Sequence, residues 1–323
     1  RQAVAAHVAP GDVDAVRGML EGGDAQAPAG LARVTAAELS PSYNLVLRKS
    51  EPPRVLPIRT DNRGLLERHL FDGAYKGITD LVTKWAWPAP ARAVVRLCTR
   101  LGITPNMVTA SSVILVVVAT WLFWNGHFAL GLVLGWLMTF FDTVDGKLAR
   151  VTIQSTRIGH WLDKLTDLIH PPIWYIAWGY GLAAHGGPPA AALWDVFAVI
   201  LVGYIVGRLI EGAFNVLLGR FAIYTWKPVD AWMRLIIARR NPNLLLLSGG
   251  LLLGAPVEGL YAVAGWTALS TVYLGARLTH GLLLRLTRGP IESWLKSLGD
   301  DDDGGVSARI FARRPQLPGL EAE

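Results

Sequence analysis

Four aspartates lie close together in an otherwise apolar part of the chain: Asp142, Asp145, Asp163 and Asp167. The first two are three residues apart and the last two are four apart, so each pair occupies one face of a helix. Carboxylates held together repel one another unless a cation lies between them. Oxygen ligands select hard ions. The spacing therefore predicts a Mg²⁺ or Mn²⁺ site with room for two ions about 3.5–4 Å apart, as phosphoryl transfer requires.

Small and basic residues are interleaved with these acids. Gly146, Ala149 and Gly159 leave space for a flat base or a diphosphate against the backbone, and Arg150 offers a positive charge to phosphate oxygens. A single aspartate in an apolar helix is typical of a helix–helix hydrogen bond or a proton relay. Four acids with these neighbours favour a substrate site instead.

The two acidic pairs need helices that bring them together. Residues 151–158 are mostly polar and predict a turn between two antiparallel helices, so that both acidic faces converge. Overall, 52% of the 323 residues are hydrophobic and 17% are charged, which is typical of an all-α polytopic membrane protein. Six transmembrane helices are predicted, at 106–125, 127–149, 159–184, 190–218, 242–254 and 259–287.

The chain divides into four predicted parts. Residues 1–66 form a small soluble N-terminal segment of unknown role, either regulatory or linker-like. Residues 67–104 carry tryptophans among lysines and arginines, which predicts amphipathic helices at the membrane interface, with a soluble hairpin as the alternative. Residues 105–290 form the membrane domain, and residues 291–323 are expected to be a disordered cytoplasmic tail.

Charge and cysteine content narrow the function classes. The net charge of +6 is spread beside apolar runs, which favours an anionic membrane surface over nucleic acid as the partner. The single cysteine, Cys98, excludes a disulfide framework within one chain and a cysteine metal site. No signal peptide is expected, because the first apolar run long enough to span follows residue 100.

Basic residues also predict the orientation. Lysines and arginines fall in alternate loops, and the intervening loops at 125–127, 185–189 and 254–259 contain none. The positive-inside rule then places both termini and the acidic cluster in the cytoplasm. A second basic segment, 220–243, predicts another helix at the interface.

The motif as a whole resembles a known family. The pattern D-x2-D-G-x2-A-R-x8-G-x3-D-x3-D is matched in full from Asp142 to Asp167, and ITPNMVT at 103–109 resembles the family's entry into its first span. It is the signature of the CDP-alcohol phosphotransferase (CDP-alcohol phosphatidyltransferase) family, and the resemblance covers about 67–290. It implies a homodimeric six-helix enzyme of the bacterial inner membrane that transfers a phospho-group from a CDP-linked donor to an alcohol and releases CMP.

The resemblance also implies roles for single residues. Asp142, Asp145 and Asp163 are similar to the metal ligands, and Asp167 to the general base with a share in metal binding. The nucleotide-binding positions would be Gly146, Ala149, Arg150, Gly159 and Asp142.

The sequence is compatible with two kinds of donor substrate. CDP-diacylglycerol is the favoured donor, and a CDP-linked head group transferred to a lipid or polyol phosphate is the alternative. Lys147, Arg157 and Arg208 are predicted to bind a phosphate on the acceptor, although Arg208 and Glu211 are spaced for a mutual ion pair. An intramembrane prenyltransferase would separate its acidic motifs more widely, and an ion transporter would leave the glycine, alanine and arginine positions unexplained.

Overall fold

A computed structural model describes residues 61–74, 77–154, 157–296, 298 and 305–312, without the side chains of 157, 158, 160 and 162–164. These residues are helical or irregular, and none of them forms a strand. The chain separates into two compact units, one of residues 1–73 with 314–323 and the other of residues 74–313. In the first unit, the described helix is α1 (Arg63–Gly73), where Arg63 Nε donates to Glu67 Oε1 at 3.0 Å.

Six helices of the second unit lie where the sequence predicts spans. They are α3 (Pro105–Trp124), α4 (Phe128–Thr152), α5 (Arg157–Ala184), α6 (Trp194–Leu218), α8 (Arg240–Leu252) and α9 (Pro256–Arg288). Within the described residues, three are long and apolar enough to cross a membrane: α3, α4 and the continuous helical stretch Ala190–Leu218 that contains α6. A bilayer core takes about 20 helical residues, and α8 has only 13. The six-span topology therefore stays a prediction.

The segment before α3 forms two helical pieces, and the second begins at Pro88. Val82–Ala86 is a π-helical turn, and α2 (Pro88–Leu101) begins at Pro88 and ends at Gly102, whose φ is +68°. A left-handed residue at this position is a common helix stop that glycine adopts without strain. Ala91, Val95 and Cys98 form the buried stripe of α2. Its placement at a membrane interface remains a prediction.

Aromatic side chains fill the core between α3, α5 and α6. Phe123 packs against Trp174 and Trp178, with ring centroids 5.8 and 5.3 Å apart. Both indole N–H groups donate to backbone carbonyls, Trp174 to Val116 at 3.2 Å and Trp178 to Pro256 at 3.1 Å. Both of these buried tryptophans thus have an acceptor for the indole N–H.

Helix α5 runs through Pro171 and Pro172 as one element. Proline has no N–H, so neither residue can donate to the carbonyl four positions earlier. Those carbonyls belong to Asp167 and Leu168, which leaves the backbone beside a predicted catalytic acid in need of another donor.

The prediction of disorder for 291–323 is wrong for part of that segment. Gly305–Phe311 forms α10, which packs in the second unit with Phe311 beside Ala231 and Leu235 of α7 (Pro228–Ile236). Trp232 Nε1 also donates to Ser307 Oγ at 3.0 Å. The apolar side chains of α10 give it a surface to bury, which the acidic run before it lacks. That run, 300–303, lies outside the described residues.

Candidate active site

A cavity of about 420 Å³ lies at the end of α4 that carries the acidic motif. Its walls come from the segment before α2, from α4, α5 and α6, and from the stretch that runs from α7 to the start of α8. The lining residues are Thr79, Asp80, Thr83, Asp142, Thr143, Gly146, Lys147, Arg150, Asp167, Leu168, Pro171, Arg208, Arg234, Arg239, Arg240 and Asn241.

Two of the predicted acids meet in this cavity. Arg240, the first residue of α8, donates from Nη1 to Asp167 Oδ1 at 2.6 Å and from Nη2 to Asp142 Oδ2 at 2.5 Å. One guanidinium therefore spans carboxylates from α4 and α5. The acidic faces converge as their helical spacing predicts.

Asp145 lies deeper than its neighbours in the motif. It is only 4% exposed, and Thr109 Oγ1 of α3 donates to its Oδ2 at 2.7 Å. Thr109 is the last residue of the ITPNMVT stretch, so this bond joins the two motifs that carry the family resemblance. Gly146 lines the cavity, where an added Cβ would lie 3.6 Å from Arg150 Nη2.

The other predicted site residues are placed less fully. Ala149 and Gly159 belong to α4 and α5 but are not among the residues lining the cavity. The side chains of Asp163 and Arg157 lie outside the described residues. Within the described part, no three acidic, histidine or cysteine side chains form a metal-binding group.

The donor set nevertheless fits a hard divalent ion. Asp142 and Asp167 both contact the Arg240 guanidinium, so their carboxylates face the same part of the cavity. Carboxylate oxygen is the ligand type that Mg²⁺ and Mn²⁺ prefer. Asp142, Asp145, Asp163 and Asp167 are the residues that would hold such ions.

Lys147 and Arg150 both contact the backbone at the start of the unit. Lys147 Nζ donates to the Ala74 carbonyl at 2.7 Å, and Arg150 Nη1 donates to the same oxygen. Both side chains also line the cavity. They thus connect the acidic helix α4 to the segment that precedes α2.

Arg208 takes part in the ion pair that its spacing predicts. Its Nη1 lies 3.4 Å from Glu211 Oε2, and Arg239 Nη2 contacts the same oxygen. Tyr224 donates to Glu211 Oε1 at 2.6 Å. One carboxylate therefore faces two arginines, which leaves this side of the cavity with an excess of positive charge.

Arg234, Arg239 and Arg240 were not predicted as site residues. The basic segment 220–243 suggested an interfacial helix, but three of its four arginines line the cavity. Arg234 Nη1 and Arg239 Nε are buried and have no hydrogen-bond partner among the described residues. Burial, together with the neighbouring Arg239 charge, lowers the pKa of Arg234 to about 10. A buried cation without an acceptor is costly, and an anion would relieve that cost.

The segment before α2 supplies a second unpredicted group. Asn241 Nδ2 donates to Asp80 Oδ1 at 2.9 Å and to Thr83 Oγ1 at 3.1 Å, and the Thr83 amide donates to Asp80 Oδ1 at 3.0 Å. Burial raises the pKa of Asp80, but the Thr83 amide, the Arg234 charge and Asn241 outweigh it, so the net pKa is lowered. Asp80 is therefore held as a buried anion beside the arginines.

Tyr204 of α6 supplies the donors that the prolines of α5 cannot. Its hydroxyl lies 2.9 Å from the Leu168 carbonyl oxygen and 3.3 Å from that of Asp167. The backbone that carries Asp167 is thus tied to α6.

Comparison with known proteins identifies this arrangement. The CDP-alcohol phosphatidyltransferase family model matches residues 102–268, more than half of the chain. The chain belongs to the CDP-alcohol phosphatidyltransferase family. Enzymes of this family are transferases of phosphate-containing groups and generally depend on a divalent metal.

Two relatives in this family are phosphatidylinositol phosphate synthases. The one from Mycobacteroides abscessus is 36% identical over 89 residues, which cover 25% of this chain and 40% of the relative. The one from Corynebacterium glutamicum is 32% identical over 130 residues, covering 37% of this chain and 58% of the relative. The matched regions therefore span about half of each relative's length.

Proposed function

We propose that this enzyme transfers a phosphatidyl group from CDP-diacylglycerol to a phosphorylated polyol, with inositol phosphate as the first candidate, and releases CMP. The observation that carries the proposal is a pair of buried N–H groups, Arg234 Nη1 and Arg239 Nε, which have no hydrogen-bond partner in the described part of the chain and belong to the cavity that Asp142 and Asp167 also line. Metal ions on the carboxylates would be sufficient to neutralise the diphosphate of the donor. The arginines on the other side of the cavity suit a second phosphate, carried by the acceptor.

The names of the relatives support the same acceptor. Both are phosphatidylinositol phosphate synthases. Arg208 and Arg239 share Glu211, and burial together with the Arg239 charge lowers the pKa of Arg234. A phosphate dianion among these arginines would balance their positive charge and accept hydrogen bonds from the buried N–H groups of Arg234 and Arg239.

In the proposed reaction, Asp167 acts on the acceptor hydroxyl. Its carboxylate accepts the hydroxyl proton while the acceptor oxygen forms a bond to the phosphorus of the phosphatidyl group. The phosphoanhydride bond to CMP breaks, and CMP leaves with the bonding electron pair. Bound Mg²⁺ or Mn²⁺ would supply charge neutralisation at the diphosphate. Because Gly146 has no side chain, the nucleotide could approach the backbone of α4 at this position.

The proposal includes a location and an assembly. Both termini and the cavity face the cytoplasm of a bacterial inner membrane, with six spans per chain and a homodimer as the assembly. The alternation of basic and uncharged loops supports this orientation.

A matrix of donors and acceptors tests the reaction. Purified protein in lipid nanodiscs is given CDP-diacylglycerol or CDP-inositol with inositol phosphate, glycerol phosphate or free inositol, with and without Mg²⁺ or Mn²⁺. We expect CMP and a phosphatidyl polyol phosphate, by mass spectrometry, from CDP-diacylglycerol with metal. Product from CDP-inositol, or equal use of free inositol, would contradict the proposal, and metal flux without CMP release would favour a transporter.

Replacing the acceptor arginines tests the assignment of the second phosphate. Arg234→Gln should raise the KM for inositol phosphate by about 10- to 100-fold, since a hydrogen bond to a charged group contributes about 1.5–3 kcal/mol. The KM for CDP-diacylglycerol should change much less. Arg288→Gln, at an exposed position near the end of α9, is the matched control. Equal KM changes in the two variants would refute the assignment.

A further inference from the structure

Arg240 contacts one oxygen each of Asp142 and Asp167, two of the carboxylates that would hold a metal ion. Its two Nη atoms contact Asp167 Oδ1 and Asp142 Oδ2 at 2.6 and 2.5 Å, and its side chain is only 16% exposed. Charge-assisted bonds of this length, made by both ends of one guanidinium, are among the stronger polar contacts in proteins. The arginine therefore acts as the counter-ion of both carboxylates.

A divalent ion that used the same two oxygens would compete with this guanidinium. Such an ion would bring its charge next to the guanidinium, and two cations at contact distance repel. Metal binding through these oxygens would therefore require the Arg240 side chain to move away from at least one carboxylate.

The fold restricts where the released side chain can go. The backbone at Arg240 begins α8, and the next residue, Asn241, is bonded to Asp80 and Thr83. The guanidinium consequently stays within reach of the cavity that it already lines. On one side it would meet Arg239, whose charge repels it. The phosphate oxygens of a bound nucleotide are acceptors of the required charge.

We propose that Arg240 exchanges partners as the enzyme is loaded. It holds Asp142 and Asp167 together in the metal-free protein, yields them to the divalent ions, and then binds a phosphate oxygen of the cytidine nucleotide. This inference rests on the metal-dependent function proposed above. Metal and nucleotide binding are thereby coupled through one side chain.

Metal affinity without any substrate is the first measurement. Mn²⁺ binding to the full chain in nanodiscs is followed by electron paramagnetic resonance, for the wild type and for Arg240→Gln. Removing the internal competitor should tighten Mn²⁺ binding by about 5- to 50-fold, given the typical strength of a hydrogen-bonded charge pair. The variant should also melt at a lower temperature than the wild type without metal, and this difference should shrink at saturating Mn²⁺.

Nucleotide affinity is the second measurement. At saturating Mn²⁺, Arg240→Gln should bind CDP about 10-fold more weakly, because a charge-assisted bond to a phosphate oxygen is lost. Arg240→Lys keeps the charge but cannot bridge both carboxylates, so its Mn²⁺ affinity should lie between those of the wild type and Arg240→Gln. The Arg240→Lys variant also tests the exchange if Arg240→Gln folds poorly.

Arg234→Gln is the matched control for metal affinity. It removes the same charge from the same cavity, and Arg234 contacts neither Asp142 nor Asp167 in the described hydrogen bonds and ion pairs. If Mn²⁺ affinity rises equally in Arg234→Gln and Arg240→Gln, the rise comes from the loss of any positive charge in the cavity, and the proposed exchange is overturned. Unchanged or weaker Mn²⁺ binding in Arg240→Gln, or unchanged CDP binding, would also overturn it. Failure of the wild type to bind Mn²⁺ would instead refute the proposed metal dependence.

Discussion

Asn241 donates a hydrogen bond of 2.9 Å to Asp80, and this bond joins the start of α8 to the segment before α2. Asn241 directly follows Arg240, the residue that bridges the two motif acids. The position of the Arg240 backbone thus depends on a segment that the motif does not include. Changes at Asp80 should consequently affect the site without touching a motif residue.

Replacing Asp80 should cost stability in a pH-dependent manner. The folded pKa of Asp80 is lowered from its usual 3.8, so its contribution is present above that value and is lost as the pH falls through the lower folded pKa. Asp80→Asn should melt below the wild type at pH 7, and the gap should narrow as the pH falls below 3.8. Thermal unfolding in detergent at pH 7, 5 and 3 measures this, with the exposed Asp61→Asn as the control. A gap that is constant across this range would contradict the prediction.

Asp167→Asn should separate chemistry from binding. A positioned general base contributes about 10²- to 10⁴-fold, so CMP release should fall by that factor. Binding of Mn²⁺ and CDP should remain measurable, because Asp142 and Asp145 are unchanged. The exposed Asp195→Asn in α6 is the control. Near-normal turnover in Asp167→Asn would remove this residue from the role of base.

Tyr204→Phe tests the tie between α6 and the proline-containing part of α5. Loss of the hydroxyl leaves the Leu168 and Asp167 carbonyls without that donor, at a cost of about 0.5–1.5 kcal/mol in stability. Turnover should also fall, because the backbone that carries Asp167 is less constrained. Melting temperature and CMP release measure the two effects. The half-exposed Tyr261→Phe in α9 should change neither, and identical behaviour of the two variants would disprove the tie.

Gly77→Ala tests the contact with the C-terminal helix. A Cβ at Gly77 would overlap the Phe311 carbonyl oxygen, so α10 or the segment before α2 must shift. We expect a loss of about 1–3 kcal/mol, the usual cost of overpacking. Gly265→Ala, in α9 with no atom near the added Cβ, should be neutral or slightly stabilising. Thermal unfolding measures both, and equal melting temperatures would show that α10 does not pack here.

The acidic motif illustrates what a sequence can predict. Spacing places Asp142 and Asp167 on converging helical faces, and the structure brings them to one guanidinium. Helix positions follow from apolar runs in the same way. Periodicity describes the face of a single helix, so it is informative wherever partners are neighbours in the chain.

The pairing of Arg239 and Arg240 could not be predicted from helical spacing. Arg239 and Arg240 look like interfacial charges, because their acidic partners Glu211, Asp142 and Asp167 are distant in the sequence. Asp80 is likewise paired across 161 residues with Asn241. Such partners are set by tertiary packing, which local propensity does not encode. A pair of arginines followed by asparagine at the start of a helix was the available signal.

The late position of Arg240 in the chain has a consequence for biogenesis. Synthesis proceeds from the N-terminus, so α4 and α5, with Asp142 and Asp167, leave the ribosome before residue 240 exists. The acidic hairpin therefore enters the membrane without the guanidinium that later bridges it. Its carboxylates must first be accommodated by protons, metal ions or interfacial water, and the nascent enzyme reaches its final charge balance only when α8 arrives.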